Sequence, residues 1–311
     1  MPFLVLKIDV DTFRGTREGV PGLIALLNKH QAQASFLFSL GPDHTGWALK
    51  RALRPGFFSK VSRTSVVEHY GLKTLSYGVL LPAPDIGLRC RETMVRARQA
   101  GFECGVHTWD HVVWQDYVRN KDAAWTGAAM QKSWQRYQEI FGEAPATHGA
   151  AGWQMNEHAF RQLDARGLRY ASDGREALRE DGRLARPDAG PYRLAAGDQV
   201  LSCVQLPTTL PTLDEVLGRT INGRELDTAN VHEFLLDLTR EPRDHVYTLH
   251  AELEGQKLAP IFDKLLAGWR QQGYTLASMG QYYAALNPQT LPVLPLHWGQ
   301  LPGRSGDLIL A

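Results

Sequence analysis

The chain has 311 residues, enough for one large α/β domain or two smaller ones, either of which can bury a substantial core. Hydrophobic residues at 43% and charged residues at 22% give an ordinary soluble balance, and a formal net charge of +1 lacks the basic excess of nucleic-acid binders. Three widely spaced cysteines, Cys90, Cys104 and Cys203, offer neither a disulfide framework nor a cysteine-built zinc site, which fits a reducing compartment.

The N-terminal run MPFLVLKIDVD has no basic n-region and is interrupted by Lys7 and Asp9, so it reads as a buried first strand and not as a signal peptide. No stretch reaches the roughly 18 apolar residues of a membrane span, and a cytoplasmic protein is expected. From there short apolar runs alternate with helical patterns. Strands are expected at 3–8, 34–39, 103–106, 168–172, 200–206 and 245–249, and helices at 20–30, 91–100, 123–140, 157–166, 231–239 and 259–272. Gly101, Gly142, Gly167 and Gly273 stand where four of these helices should stop. Such alternation implies a mostly parallel sheet, open or closed into a barrel.

The stretch from about 46 to 87 breaks the rhythm. Trp47, Phe57, Phe58, Tyr70 and Tyr77 interleave with Lys50, Arg51, Arg54, Lys60, Arg63 and Lys73, and Glu68 is the only acid between Trp47 and Tyr77. This pattern suits an amphipathic element lying on an anionic membrane, and equally a solvated basic insertion packed on the core. The stretch after Leu286, rich in Pro, Leu and Gly, is expected to be a loosely structured tail.

Chemistry gathers at the strand ends. In KIDVDTFRG, Asp9 and Asp11 are two apart, so a strand points both carboxylates to one face. Like charges so close need a cation or a proton between them, although a helix cap beside a loop aspartate is a common plain alternative. In GVHTWDHVVW, His107 and His111 are four apart, the spacing of one face of a helical turn, and can share a metal; among 11 histidines such a pair also arises by chance. Both pairs follow strand candidates, where parallel folds collect catalytic groups. One carboxylate with two imidazoles leaves coordination positions open for water and substrate. His250 closes HVYTLHAELEG at another strand end, and Asp173 in RYASDGR at a further one; their plain readings are a half-buried histidine and a turn or cap residue. His30, His44, His69, His148, His158, His232, His245 and His297 lack such placement and read as surface or packing residues. No GxGxxG after a strand, GxxxxGK[ST], GxSxG or HExxH is present, so nucleotide binding and serine hydrolysis have no support, and with a net charge of +1 no nucleic acid is an expected partner.

These strings resemble a known family. IDVD resembles the first motif of the polysaccharide deacetylase (NodB homology) family, HTWDH its His-x-x-x-His motif and TLH its final Leu-x-His motif, in the family's order. IDVDTFRGTREGVP, FSLGPD, HTWDHVVWQ, AAGW, SD, LPTTLPTLDEV and YTLHAELEG are similar to a branch that acts on a lipid-linked amino sugar, and they span nearly the whole chain. The resemblance implies a distorted (β/α) barrel of about seven parallel strands over residues 1–285, carrying the insertion at 46–87, with a C-terminal tail at 286–311. It assigns Asp9 as general base, Asp11, His107 and His111 as metal ligands, His250 as general acid, and Asp173 as the acidic partner of that histidine. The ligand set favours zinc by default, with cobalt or manganese as the family's alternatives.

One departure matters. The family's third motif supplies an arginine that orients the base, whereas residues 150–153 here read AAGW, leaving Arg175 and Arg14 as candidates for that duty. The implied substrate is a formamido-arabinose joined through phosphate to undecaprenol, met on the cytoplasmic face of the inner membrane. It lies on the route to aminoarabinose-modified lipid A and resistance to polymyxin and other cationic peptides. A deacetylase of another amino sugar or cell-wall polysaccharide, and an inactive membrane-surface binding protein, are the rival expectations.

Overall fold

The leucine- and β-branch-rich run FLVLKIDV forms strand β1, Phe3–Val10. Alternation sorts its side chains: Leu4, Leu6, Ile8 and Val10 join the main core with the helices, while Val5 packs in a second cluster with Leu37, Tyr170, Val204 and Val246. Lys7 and Asp9 share the face of Val5, so the strand that builds the core also carries two charges inward. This computed structural model describes residues 1–48, 72–186, 188–301, 304 and 306–310.

The strands that position the site are, after β1, β2 (Ser35–Ser39), β3 (Glu103–Thr108), the short β4 (Tyr170–Ala171) and β5 (Val204–Gln205), β6 (His245–His250) and β7 (Thr275–Ala277). Five of them make one all-parallel sheet in the order β6–β1–β2–β3, with β7 paired to the first residues of β1. The longer helices between, among the described residues, are α1 (Val20–Lys29), α2 (Arg91–Gln99), α3 (His111–Tyr117), α4 (Ala123–Phe141), α5 (Glu157–Ala165), α6 (Val231–Leu238) and α7 (Ala259–Gln271). The expected parallel α/β class holds. Gly101, Gly142, Gly167 and Gly273 take φ values of 89°, 76°, 72° and 87°, the left-handed conformation that ends a helix at no steric cost to glycine.

Among the described residues the hydrogen-bonded sheet has five strands, fewer than the seven or so expected. Beyond β3 the strands are too short to zip together, and single backbone bonds lead onward. Val106 N–H donates to the Thr147 carbonyl at 3.1 Å and Ser172 N–H to the His148 carbonyl at 2.9 Å. β4 pairs with β5, and Thr209 N–H reaches the Val246 carbonyl of β6 at 3.0 Å.

The stretch after Leu286 folds back rather than trailing as a loose tail. Val293–Pro295 pairs with Arg193–Ala196, and β8 (Trp298–Gln300) pairs antiparallel with β9 (Asp307–Ile309). Leu301 and Leu308 bury against Trp153, which gives these short strands an apolar anchor. Of the basic aromatic insertion, Lys50, Arg51, Arg54, Phe57, Phe58, Lys60, Arg63, Glu68 and Tyr70 lie outside the described residues. At its ends, Trp47 stacks on His44 with ring centroids 3.9 Å apart, and Val79, Leu80 and Leu81 are exposed, Leu80 by 83%. No helix among the described residues is long and apolar enough to cross a membrane.

Candidate metal centre

Asp11 comes directly after β1, and its buried carboxylate faces two imidazoles. Oδ1 is 3.2 Å from His107 Nε2 and Oδ2 is 3.3 Å from His111 Nε2, and one donor atom from each residue lies within 4.8 Å of the others. The two histidines do not share a helical turn, as their spacing suggested. His107 belongs to β3 and His111 opens α3, and the intervening turn brings their ring centroids to 5.3 Å. Asp110 caps α3 by accepting from Val113 N–H and also bonds His44 Nδ1, so the turn is pinned from two sides.

The fit to a cation can be read from atoms left without partners. His107 Nδ1 bonds the Gly149 carbonyl, which can only accept, so Nδ1 carries the proton and Nε2 keeps its lone pair for the cluster. Asp11 Oδ1 and His107 Nε2 are buried with no hydrogen-bond partner. Orphaned buried polar atoms are costly, and a shared divalent ion satisfies both. One carboxylate and two imidazoles are donors suited to zinc and its first-row neighbours. Burial pushes the Asp11 carboxyl up, but the facing His111 and His107 and nearby His250 hold it well below the usual carboxylate range. For His107, burial opposes the charged form while Asp9 and Asp11 favour it, and the net direction is upward.

A carboxylate that the sequence reading passed over supports Asp11. Glu252 Oε1 accepts from the N–H groups of Asp11 at 3.1 Å and Thr12 at 2.8 Å, and from the Thr12 hydroxyl at 2.8 Å. Burial, then the charge of Asp11, raises the Glu252 carboxyl well above its ordinary value. A Cβ at Gly15 would fall 1.8 Å from Glu252 Oε1, and one at Gly19 would fall 1.9 Å from the Ala251 carbonyl oxygen. Both glycines of FRGTREG therefore permit this close approach.

Asp9 and His250 are register partners across β1 and β6, which sets them beside the cluster. Asp9 Oδ2 accepts from Lys7 Nζ at 3.1 Å, and Oδ1 lies 3.7 Å from His107 Nδ1. Neither arginine offered as a substitute takes this place: Arg14 pairs with Glu18, and Arg175 with Glu215. The cation on Asp9 comes from its own strand.

The structure does not bring Asp173 to His250. Asp173 Oδ1 instead accepts from Ala150 N–H at 2.7 Å and bonds His148 Nδ1 at 3.0 Å. The carboxylate beside His250 is Asp214, with Oδ1 3.9 Å from Nδ1. Burial raises Asp214, but Arg304, His250, Thr212 and Arg175 outweigh it and hold the carboxyl at about 2. Glu254 anchors the histidine from behind, accepting from the His250 N–H at 3.0 Å and the Tyr247 hydroxyl at 3.1 Å, and burial pushes its carboxyl up to about 7.

No family model matches the chain. Among solved structures, one described as a polysaccharide deacetylase from Mycobacterium smegmatis superposes with a TM-score of 0.62 at 16% identity, covering 97% of this chain and 96% of that one. A family 4 acetyl xylan esterase from Clostridium thermocellum, in complex with a cobalt ion, gives a TM-score of 0.51 at 10% identity over 94% of this chain and 97% of that one. The parallel α/β scaffold is thus the fold of the polysaccharide deacetylases, and it carries the Asp–His–His cluster at the sheet's carboxyl edge. The "Probable 4-deoxy-4-formamido-L-arabinose-phosphoundecaprenol deformylase ArnD" of Shewanella sediminis (strain HAW-EB3) is 34% identical over 261 residues, 84% of this chain and 79% of that protein. A protein of the same description from Wigglesworthia glossinidia brevipalpis is 28% identical over 294 residues, 94% of this chain and 96% of that one. The chain belongs to the 4-deoxy-4-formamido-L-arabinose-phosphoundecaprenol deformylase family.

Proposed function

We propose that the protein hydrolyses the formamide of a formamido-arabinose carried on undecaprenyl phosphate, giving formate and a free amine on the sugar. The observation that carries this reading is the convergence of Asp11, His107 and His111 beside Asp9 and His250 in a chain related to such deformylases. Asp11 and the Nε2 atoms of His107 and His111 would hold a divalent ion. When bound, that ion supplies Lewis-acid polarisation of the amide and a lowered pKa for water. Asp9 Oδ1, buried with no hydrogen-bond partner, accepts the proton of the attacking water. His250 donates a proton to the departing nitrogen, which leaves poorly without one. Asp214, whose Oδ1 faces Nδ1 at 3.9 Å, is placed to orient the His250 ring for that transfer.

The run of backbone bonds from β3 through Thr147, His148, β4, β5 and Thr209 to β6 supports a distorted (β/α) barrel; residues 1–285 carry the ligands, the base and the acid, and Arg304 from the C-terminal stretch pairs with Asp214. A substrate with an undecaprenyl chain stays in its bilayer, so the enzyme works at the cytoplasmic face of the inner membrane. Exposed Val79, Leu80 and Leu81, next to the basic and aromatic segment, support that placement. Vesicles containing anionic lipid should retain the protein, and Leu80→Glu should weaken retention by about tenfold or more, given the roughly 1.5–3 kcal/mol that burying a leucine contributes. Equal flotation of both proteins would remove Leu80 from the contact.

The decisive assay measures formate release from the lipid-linked formamido sugar by zinc-loaded protein, with the N-acetyl analogue alongside. Formate without acetate is the expected result. Acetate alone would replace this reading by a deacetylase, and vesicle binding with neither product would leave a surface-binding protein.

A further inference from the structure

Lys7 stands two residues before Asp9 on β1 and, by the strand's alternation, on the same inward face. Its side chain is wholly buried, an uncommon setting for lysine and one that demands a partner. Among the described residues, Nζ lies 3.1 Å from Asp9 Oδ2 and over the ring of Trp153, its centroid at 4.7 Å. Trp153 is the last residue of the AAGW segment, where the resemblance led one to look for an arginine. It is fixed firmly there. Its indole N–H donates to Thr208 Oγ1 at 3.1 Å, and that hydroxyl lies 2.7 Å from Oγ1 of Thr248, the register partner of Lys7 on β6. The backbone of Trp153 has φ +56°, a strained conformation for a residue with a Cβ, held by these contacts. A Cβ at Gly149 would lie 2.7 Å from Lys7 Cε, so glycine there leaves room for the lysine stem, and the same residue's carbonyl accepts the hydrogen bond of His107 Nδ1–H.

We propose that Lys7 is the positioning residue for Asp9: its ammonium, lying against Trp153, fixes Oδ2 and so turns the unpartnered Oδ1 toward the attacking water. The cation arrives from the base's own strand, and AAGW contributes an aromatic face in place of a charge. Lys7 also offsets the repulsion between Asp9 and Asp11, which the strand places on one side. The proposal rests on the reading of Asp9 as proton acceptor.

In the full zinc-loaded chain, Lys7→Met is expected to lower kcat for formate release about 10²-fold with KM unchanged, the effect of a misplaced catalytic group. Zinc affinity, read by competition with a chromogenic chelator, should stay at the wild-type value. Asp9→Asn and the double variant Asp9→Asn/Lys7→Met should turn over equally slowly, because Lys7 acts through the carboxylate. The double variant also removes the unpaired buried charge, so it decides the matter where Lys7→Met alone does not fold. An unchanged kcat in Lys7→Met, a fall in zinc affinity in step with kcat, or a double variant more than about tenfold slower than Asp9→Asn would overturn the proposal. Wild-type protein that binds zinc yet releases no formate would overturn the functional reading itself, a failure visible before any Lys7 variant is made.

Discussion

Replacing His107 with alanine is expected to strip the centre of its ion and to abolish formate release. His107 is the most enclosed of the three donors, and the Gly149 carbonyl fixes its tautomer so that Nε2 is free to hold the ion. Loss of a partner behind a ligand already costs about 10–100-fold in metal affinity, and loss of the ligand itself should exceed that range. The several kcal/mol that an ion contributes to polarising the amide correspond to a drop of roughly 10³-fold or more in kcat/KM, at about 1.36 kcal/mol per decade. A stability change should accompany it. The Gly149 carbonyl is left without its donor, at about 1–3 kcal/mol, so the thermal midpoint of the ion-free protein should fall by several degrees without loss of the fold. Zinc titration, formate release and a melting curve on one preparation check all three. Retention of stoichiometric zinc with wild-type turnover would remove His107 from the centre and, with it, the case for the cluster.

Much of this centre was legible because its residues sit at strand ends, with Asp9 and Asp11 two positions apart. Asp9 and Asp11 close the Val-, Leu- and Ile-rich run of β1 and His250 closes HVYTLH, whereas His107 follows the mixed run ECGV, and the helix-ending glycines mark the spacing between these strands. The HxxxH geometry was misread because four-residue spacing fits a helical turn as readily as a strand that stops one residue after the first histidine. Lys7 was read only as the charge interrupting an apolar run, since lysine is almost never fully buried unless paired; its place two residues before Asp9 was the signal that could have found it. Glu252 and Glu254, two and four residues past His250, could have been suspected in the same way. The C-terminal strands were invisible for another reason: three residues are too few to display a period, and Leu301 and Leu308 gain their meaning only against Trp153.

His250→Ala should slow formate release by about 10²–10⁴-fold while the zinc content stays whole, the signature of a lost proton donor. The metal readout separates roles that activity alone confounds: a fall in zinc with turnover would make His250 a ligand. The acid's partner can be told apart by the same logic. Which carboxylate serves it depends on long-range packing, because Thr209 bonds Val246 and so draws the LPTTLPTLDEV segment against β6, whereas the chain after β4 turns Asp173 toward His148 and Ala150. Asp214→Asn removes the charge facing His250 Nδ1 and should reduce kcat by about tenfold or more with KM and zinc content unchanged, a share of the full general-acid contribution. Asp173→Asn should act on folding instead, since a buried carboxylate bonded to a backbone amide and an imidazole holds the 148–150 segment in place; its thermal midpoint should drop while kcat of the folded fraction stays near wild type. The reverse pattern, a turnover defect in Asp173→Asn and none in Asp214→Asn, would return the partner's role to Asp173. It would also mean that the loop carrying Asp214 moves away when substrate enters, because an acid held at 3.9 Å from its carboxylate has little other means of orientation from that side.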